Sequence, residues 1–192
     1  MNQSNISKQQ QIMRDIVNYG PISKRKLQKM TGMSWGMVSN IVNYLEKENY
    51  IVSSAKEVSN VGRKADNYDI NGSEHYCLGI DLSYNGLVTV VTDIKGRIVE
   101  QTEKIFEIRE REYVLGQIFE IIDVMFDHYN NKKIDGIGFS VQGIVNIYDG
   151  VSELISGIKS WNDVPLAKMM EERYHVRTYL ENDANCIMKY ER

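Results

Sequence analysis

The sequence has 192 residues, of which 42% are hydrophobic, and a formal net charge of −3. This length suits one domain of ordinary size plus a small one, and the composition, with only two prolines, is that of a folded chain and excludes a disordered, Pro-rich linker. The polar N-terminus has no apolar signal core and no apolar run approaches the roughly 20 residues that span a bilayer, so we expect a cytoplasmic protein.

Charge is divided unevenly along the chain. Residues 1–72 contain ten Lys or Arg against six Asp or Glu, a net charge of +4, whereas residues 73–192 contain thirteen against twenty, a net charge of −7. A basic head on an acidic body is the asymmetry expected when only the head meets a polyanion. Cys77 and Cys186 lie far apart without C-x-x-C or His spacing, so neither a disulfide framework nor a zinc site is predicted.

The first predicted helix covers residues 6–19 and ends before Gly20-Pro21. Its apolar stripe at helical spacing consists of Ile12, Met13, Ile16 and Val17. We interpret this segment as a helix that supports the element after it.

Residues 23–45 have the pattern of a helix-turn-helix. Ser23 stands at an N-cap position, and Leu27 and Met30 follow on one face of the first helix. Gly32 supplies the left-handed residue that a tight turn between helices needs, and Ser34 can cap the second helix.

The second helix has one apolar and one polar face. The apolar stripe, which must be buried, consists of Val38, Ile41, Val42 and Leu45. Small, amide and hydroxyl side chains on the opposite face can approach base edges in a major groove; the candidates for reading bases are Ser34, Met37, Ser39, Asn40 and Asn43. The candidates for phosphate contacts are Lys24, Arg25, Lys26 and Lys29. An ordinary solvated helix face is the alternative interpretation.

A hairpin with a basic tip follows. Tyr50-Ile51-Val52 and Tyr68-Asp69-Ile70 have extended patterns, and the polar stretch between them contains Gly62-Arg63-Lys64. Arg63 and Lys64 can enter a minor groove, as the wing of a winged helix does, although a solvated loop has the same composition. The succession of helix, helix-turn-helix and hairpin favours double-stranded DNA as a partner.

Beyond residue 72 strands come first and then alternate with helices. The predicted strands cover 76–82, 86–92, 97–108, 134–141 and 176–180, and the predicted helices cover 111–129, 165–174 and a segment from 183 onward. This order is that of the ribonuclease H-like α/β fold of actin and sugar kinases. We therefore predict a winged helix-turn-helix domain over 1–72 and an incomplete lobe of that fold over 73–192.

Several segments resemble the ROK family (repressors, open reading frames and kinases) and, within it, winged-helix regulators of the xylose-repressor type. In the body they are Glu181-Asn182-Asp183-Ala184-Asn185, Gly138 to Gly143, Ser160-Trp161 and Val164-Pro165-Leu166. In the head they are Gly20-Pro21-Ile22-Ser23, Thr31-Gly32-Met33-Ser34 and Val38-Ser39. The resemblance covers nearly the whole chain.

The resemblance implies that Asn182 and Asp183 bind the hydroxyls of a sugar, since amides and carboxylates can bridge neighbouring hydroxyls. In the family's kinases this Asp also takes the proton from the accepting hydroxyl. Without the resemblance, Asn182 or Asp183 would be interpreted as a helix N-cap.

Departures from the family pattern indicate a regulator and not an enzyme. Ser83 and Tyr84 occupy positions where kinases carry phosphate-binding glycines, and a Tyr side chain would crowd a phosphate. Gln142 replaces a Pro, and Gly157 stands where many members have a sugar-binding Asn. In the predicted wing, Lys64 stands where regulators usually have Pro.

We predict a dimeric, sugar-responsive repressor of carbohydrate-utilisation genes, such as those of xylose metabolism. Family members continue for about as long again and carry a zinc motif in that part, so we expect a truncated product or a fragment and no cofactor in this chain. Two alternatives stay open: a sugar kinase with an appended head, or a remnant that binds DNA without sensing sugar.

Overall fold

The computed structural model describes residues 3–54, 66–83, 86–106 and 110–191. The chain divides into two compact units, Met1–His75 and Tyr76–Arg192. The helices of the first unit are α1 (Gln3–Tyr19), α2 (Lys24–Thr31) and α3 (Trp35–Lys47), and its strands are β1 (Ile22–Ser23), β2 (Ile51–Ser54) and β3 (Asn67–Ile70).

The core of the first unit forms where the apolar faces of its helices meet a small antiparallel sheet of order β1-β3-β2. Its buried side chains include Ile12, Ile16, Leu27, Val38, Ile41, Val42, Leu45, Ile51 and Ile70. The predicted stripe of α3 is thus confirmed. Val17 and Met30, which the spacing places with the core residues, are instead 50% and 42% exposed, because each helix buries a narrower face than its apolar residues cover.

His75 is the last residue of the first unit, and its side chain is buried. It stacks on Tyr50 with ring centroids 3.8 Å apart, and its Nε2 donates a hydrogen bond of 2.8 Å to the carbonyl oxygen of Glu48, just beyond α3. The carbonyl can only accept, so Nε2 carries the hydrogen.

The second unit begins with three strands and a long helix, as predicted, and four strands then follow before the next helix. Its strands are β4 (His75–Ser83), β5 (Gly86–Asp93), β6 (Ile98–Ile105), β7 (Lys133–Val141), β8 (Ile144–Asn146), β9 (Val151–Leu154), β10 (Asn162–Val164) and β11 (Arg177–Asn182). Its helices are α4 (Arg111–His128), α5 (Leu166–Tyr174) and α6 (Asp183–Tyr190).

A five-stranded mixed sheet of order β11-β7-β4-β5-β6 carries the second core. Strands β4, β5 and β6 are antiparallel neighbours, whereas β11 runs parallel to β7. One face of the sheet packs in a single cluster with the buried residues of α4, which are Val114, Ile118, Ile122 and Met125. The predicted amphipathic helix is therefore confirmed.

A second, small sheet was absent from the sequence prediction. Strands β8, β9 and β10 pair antiparallel in the order β10-β9-β8. Their neighbour Trp161 is buried, and its Nε1 donates a hydrogen bond of 2.9 Å to Oγ of buried Ser152. Strands of three or four residues are too short to show a period of two, so the pattern did not predict them.

Asp93 holds the turn between β5 and β6. Its carboxylate is 2% exposed and accepts hydrogen bonds from the backbone N–H groups of Lys95 (2.9 Å) and Arg97 (3.0 Å) and from Nε of Arg97 (2.7 Å). Burial alone raises the pKa of this carboxyl, but the hydrogen bonds from Arg97 and Lys95 outweigh it and hold the pKa below the usual value.

Replacement of Asp93 by Asn is expected to lower the free energy of unfolding at pH 7 by about 1–3 kcal/mol, because three N–H donors around this buried side chain lose a charged acceptor. A carboxyl whose pKa is lowered by folding stabilises the fold above its unfolded pKa of about 3.9. This contribution is lost as the pH falls through the folded pKa, so the difference between the two proteins should shrink in acid. Urea unfolding at pH 7 and pH 3 measures this difference in the free energy of unfolding, with Glu103→Gln on exposed β6 as a control. A difference of equal size at both pH values would contradict this role of the Asp93 charge.

Candidate functional site

Two short turns fix the geometry of α2 and α3. Ser23 Oγ accepts a hydrogen bond from the N–H of Lys26 at 3.4 Å and caps α2. Gly32 ends α2 with φ +69°, and its N–H donates to the carbonyl oxygen of Gln28. Ser34 Oγ accepts from the N–H of Met37 at 3.4 Å and caps α3. All three predicted cap positions are therefore confirmed.

The outer face of α3 carries the side chains that the sequence predicts to read bases. Burial of Val38, Ile41, Val42 and Leu45 leaves the opposite face to solvent. The five predicted residues stand at or near that face: Ser34, Asn40 and Asn43 are exposed, and Met37 and Ser39 are half-buried. A polar helix face of this kind fits a major groove.

Basic side chains lie along α2. Arg25 and Lys26 in its first turn and Lys29 in its last turn are exposed, and α2 contains no acidic residue. Lys24 is half-buried and makes two contacts: its Nζ donates a hydrogen bond of 2.6 Å to Oδ1 of Asn43 and lies 5.1 Å from the ring centroid of Tyr68. Helix α2 can therefore approach a polyanion through three of its four cations.

The predicted basic tip, Arg63 and Lys64, lies outside the described residues. The strands on either side of it are present, and β2 pairs antiparallel with β3, Ile51 opposite Ile70 and Ser54 opposite Asn67. The tip's contact with a minor groove stays a prediction.

The predicted sugar-binding residues stand at the carboxyl end of β11, where α6 begins. Asn182 Oδ1 accepts hydrogen bonds from the N–H groups of Ala184 (3.0 Å) and Asn185 (3.4 Å), and its Nδ2 donates to the carbonyl oxygen of Gly143 at 2.9 Å. Asn182 is thus an N-cap that also ties α6 to the segment after β7. Asp183 is half-buried and accepts from the N–H of Ala184 at 2.8 Å.

An open groove of about 620 Å³ lies beside this point. On β4 and β5 it is lined by Gly79, Asp81, Val88 and Val90, which alternate with the buried residues that face α4. Its polar floor includes Asp81, whose Oδ1 accepts a hydrogen bond of 2.5 Å from Oγ of Ser140. Polar acceptors beside an apolar wall are the surroundings that suit a small polar ligand.

The sequence analysis missed an ion pair at the edge of the groove. Glu181 pairs with Lys189 and accepts a hydrogen bond from Nδ2 of Asn185 at 3.0 Å. The bonds from Lys189 and Asn185 lower the pKa of Glu181 to about 2. Asn185 and Lys189 are four residues apart and share a face of α6, whereas Glu181 lies at the end of β11, so helical spacing alone could not have indicated the pair.

Cys186 also lines the groove. Burial raises the pKa of its thiol, and this exceeds the lowering by its hydrogen bonding with Ser140. The thiol is therefore neutral at pH 7 and is a poor nucleophile. Among the described residues, no group of His, Cys, Asp and Glu side chains is placed to hold a metal ion. In the same part of the chain, every helix is too short or too polar to cross a membrane.

The mixed sheet and its covering helix form a kinase-like α/β fold. The ROK family profile matches residues 77–191, and the chain belongs to the ROK family.

Relatives named xylose repressor match most of the chain. It is 30% identical over 177 residues to a provisionally named xylose repressor of Caldicellulosiruptor sp. (strain Rt8B.4), covering 91% of this chain and 44% of that protein. It is 27% identical over 179 residues to the xylose repressor of Bacillus subtilis (strain 168), covering 92% and 46%. The chain thus spans less than half the length of these relatives.

Solved structures share the fold. A ROK family transcriptional regulator, a homologue of the E. coli MLC protein, superposes with a TM-score of 0.81 at 18% identity, covering 95% of this chain and 46% of that chain. A ROK family glucokinase from Streptomyces griseus, solved with glucose and AMPPNP, gives a TM-score of 0.50 at 21% identity, covering 57% of this chain and 34% of that chain. At 18% and 21% identity, the similarity to these two structures shows a shared fold only.

Proposed function

We propose that this chain is a winged-helix transcriptional regulator that represses carbohydrate-utilisation genes and responds to a sugar. Residues 1–72 are its DNA-binding domain, and residues 73–192 are the first lobe of its sensor. The observation that carries the proposal is the capped α2–α3 element, with a polar outer face on α3 beside the basic start of α2. The relatives named xylose repressor support it.

In the proposed complex α3 lies in a major groove. The bases are contacted by Ser34, Met37, Ser39, Asn40 and Asn43. Arg25, Lys26 and Lys29 contact phosphates, and Arg63 and Lys64 reach the adjacent minor groove. Two copies of the chain would place their α3 helices about one helical turn apart, or a multiple of it, on a near-palindromic operator.

The effector is proposed to be a sugar of the xylose class, bound at the carboxyl end of β11. Asp183 offers a carboxylate to the hydroxyls. Asn182 fixes the start of α6 and uses one of its two amide hydrogens for Gly143, which leaves the other for a hydroxyl. To act as an inducer, the sugar must prefer the conformation that binds DNA poorly. A sugar with equal affinity for the two conformations would not change their populations.

A salt titration of DNA binding by the 192-residue chain tests the proposal. The probes are duplex DNA from upstream of its own gene and an unrelated duplex, each with and without xylose, glucose and other aldoses. Preference for the upstream DNA, with a steep salt dependence that one sugar weakens, supports a sensing repressor. A preference for the upstream DNA that no sugar alters would support the DNA-binding part of the proposal and contradict the sugar response. Equal binding to both duplexes would contradict the proposal, and sugar-dependent release of ADP from ATP would favour a kinase instead.

The proposed contacts predict different effects for Arg25→Ala and Asn40→Ala. Loss of a phosphate contact at Arg25 should weaken binding to all sequences evenly and reduce the slope of log K against log salt by about one. Loss of a base contact at Asn40 should cost about 1–3 kcal/mol on the preferred sequence and relax preference at one base pair. Fluorescence anisotropy on matched and single-mismatch duplexes measures both. Identical profiles for the two variants would show that the outer face of α3 is assigned wrongly.

A further inference from the structure

Strand β6 forms one edge of the five-stranded sheet. The order of that sheet is β11-β7-β4-β5-β6, so within the part of the chain that the structure describes only one side of β6 is paired. The strand is eight residues long and contains no proline. Two of its apolar residues, Val99 and Ile105, are 51% and 74% exposed. An edge of this length offers a row of backbone N–H and C=O groups to another strand.

The regular part of β6 consists of residues 100–105. Pairing between β6 and β5 shifts register between Val91 and Thr92, and Val99 is skipped there, as the extra residue of a bulge is. The residues after it pair with β5 without interruption. This regular part is therefore the stretch of the edge that is suited to pairing with a second strand.

Two charged side chains of the regular part face α4 and are held by it. The hydroxyl of Tyr129 donates a hydrogen bond of 2.9 Å to Oε2 of Glu100. Lys104 Nζ lies 2.9 Å from Oε2 of Glu120. Side chains alternate along a strand, so Thr102, between the two, faces the same way. A carboxylate accepts up to about four hydrogen bonds and an ammonium donates about three, so Glu100 and Lys104 can each take a further partner.

Pairing of β6 with β6 of a second copy restricts the register. In an antiparallel pair, opposite residues either exchange hydrogen bonds or both direct their backbone groups away, and the two arrangements alternate along the strand. The numbers of opposite residues on two identical strands must therefore have an even sum. A pair centred on Thr102 places Glu100 opposite Lys104 on both sides of the axis. A centre at Glu103 places two like charges opposite each other, and the other centres pair a shorter stretch of the regular part.

We propose that two copies of this chain associate through β6, antiparallel and with Thr102 opposite Thr102. The interface is isologous, so each contact occurs twice about one axis. Glu100 and Lys104 then form two cross-strand pairs of opposite charge. The exposed Ile105 comes to the end of the pair at which the second copy carries Val99, so apolar surface meets apolar surface. This inference goes beyond the proposed function, which requires two copies on one operator but assigns no surface between them.

Sedimentation velocity of the 192-residue chain without DNA tests the interface, over about 5–500 µM because a single strand pair is a small and weak interface. We expect a monomer–dimer equilibrium. Glu100→Lys and Lys104→Glu each place like charges opposite each other twice, so each should weaken dimerisation by about tenfold. An equimolar mixture of these two variants should recover the dimer, because one then supplies only cations and the other only anions at the paired positions. The matched control Glu103→Lys makes the same charge change opposite Gln101 and should leave dimerisation unchanged.

The inference is overturned if the unaltered chain stays monomeric over this range, or if the two charge variants dimerise as tightly as it does. It is also overturned if their mixture associates no better than either variant alone, or if Glu103→Lys weakens the dimer as much as Glu100→Lys. Far-UV circular dichroism of each variant, and recovery in the mixture, verify that both are folded. A monomer in the absence of DNA would overturn the β6 interface alone, whereas a dimer without preference for the upstream DNA would contradict the proposed function alone.

Discussion

Gly143→Ala is expected to destabilise the second unit by about 2–5 kcal/mol, through backbone strain and overpacking together. Gly143 follows β7 with φ +126°, a conformation that residues with a side chain rarely adopt. A Cβ atom built there would lie 2.0 Å from the carbonyl oxygen of Leu154 on β9. That oxygen belongs to backbone within the small sheet, so it cannot move aside as a flexible side chain would.

Substitutions at two other glycines allow backbone strain and overpacking to be measured separately. Gly157 has φ +98° but open space around its Cα, so Gly157→Ala should show the strain alone, about 1–2 kcal/mol. Gly138, on β7, has neither a positive φ nor a neighbour within 4 Å of an added Cβ, and Gly138→Ala should be nearly neutral. Urea unfolding followed by the emission of buried Trp161, with Trp35 replaced by Phe in every variant because it also emits, reports on this unit. Equal free energies of unfolding for the three variants would show that position 143 does not require glycine.

Leu27→Ala is expected to unfold the first unit and abolish DNA binding. Leu27 is completely buried, and truncating such a leucine costs about 2–5 kcal/mol. A domain of this size has a core that rarely supplies more than about 3–5 kcal/mol in total. The loss is therefore comparable to the whole stability of the unit, and α3 would no longer be held for reading DNA.

Met30→Ala is the matched control for Leu27→Ala. Both residues lie on α2, and the helical spacing alone predicts both to face the core, but Met30 is 42% exposed. Its replacement should change the free energy of unfolding by less than about 0.5 kcal/mol. Thermal melts by circular dichroism, and anisotropy with the upstream duplex, measure the two variants. An equal loss for both would mean that the sequence spacing, and not the observed burial, describes α2 correctly.

The sequence alone determined the features that depend on neighbouring residues. The caps at Ser23 and Ser34, the left-handed Gly32 and the buried stripe of α3 are all local patterns, and each is present. The long helix α4 and the order of the main strands were also predictable, because long periodic segments carry a strong signal. Family membership followed from several short segments in the right order.

Only the tertiary structure decided what depends on residues far apart in the chain. The small sheet β8–β10, the approach of Gly143 to Leu154 and the hydrogen bond between Ser140 and Asp81 join positions whose pairing no local pattern encodes. The same holds for Lys24 and Asn43, which the sequence presents as two independent DNA contacts. Helix packing brings them within 2.6 Å of each other, because hydrogen bonds act at short range and the fold sets which donors and acceptors meet.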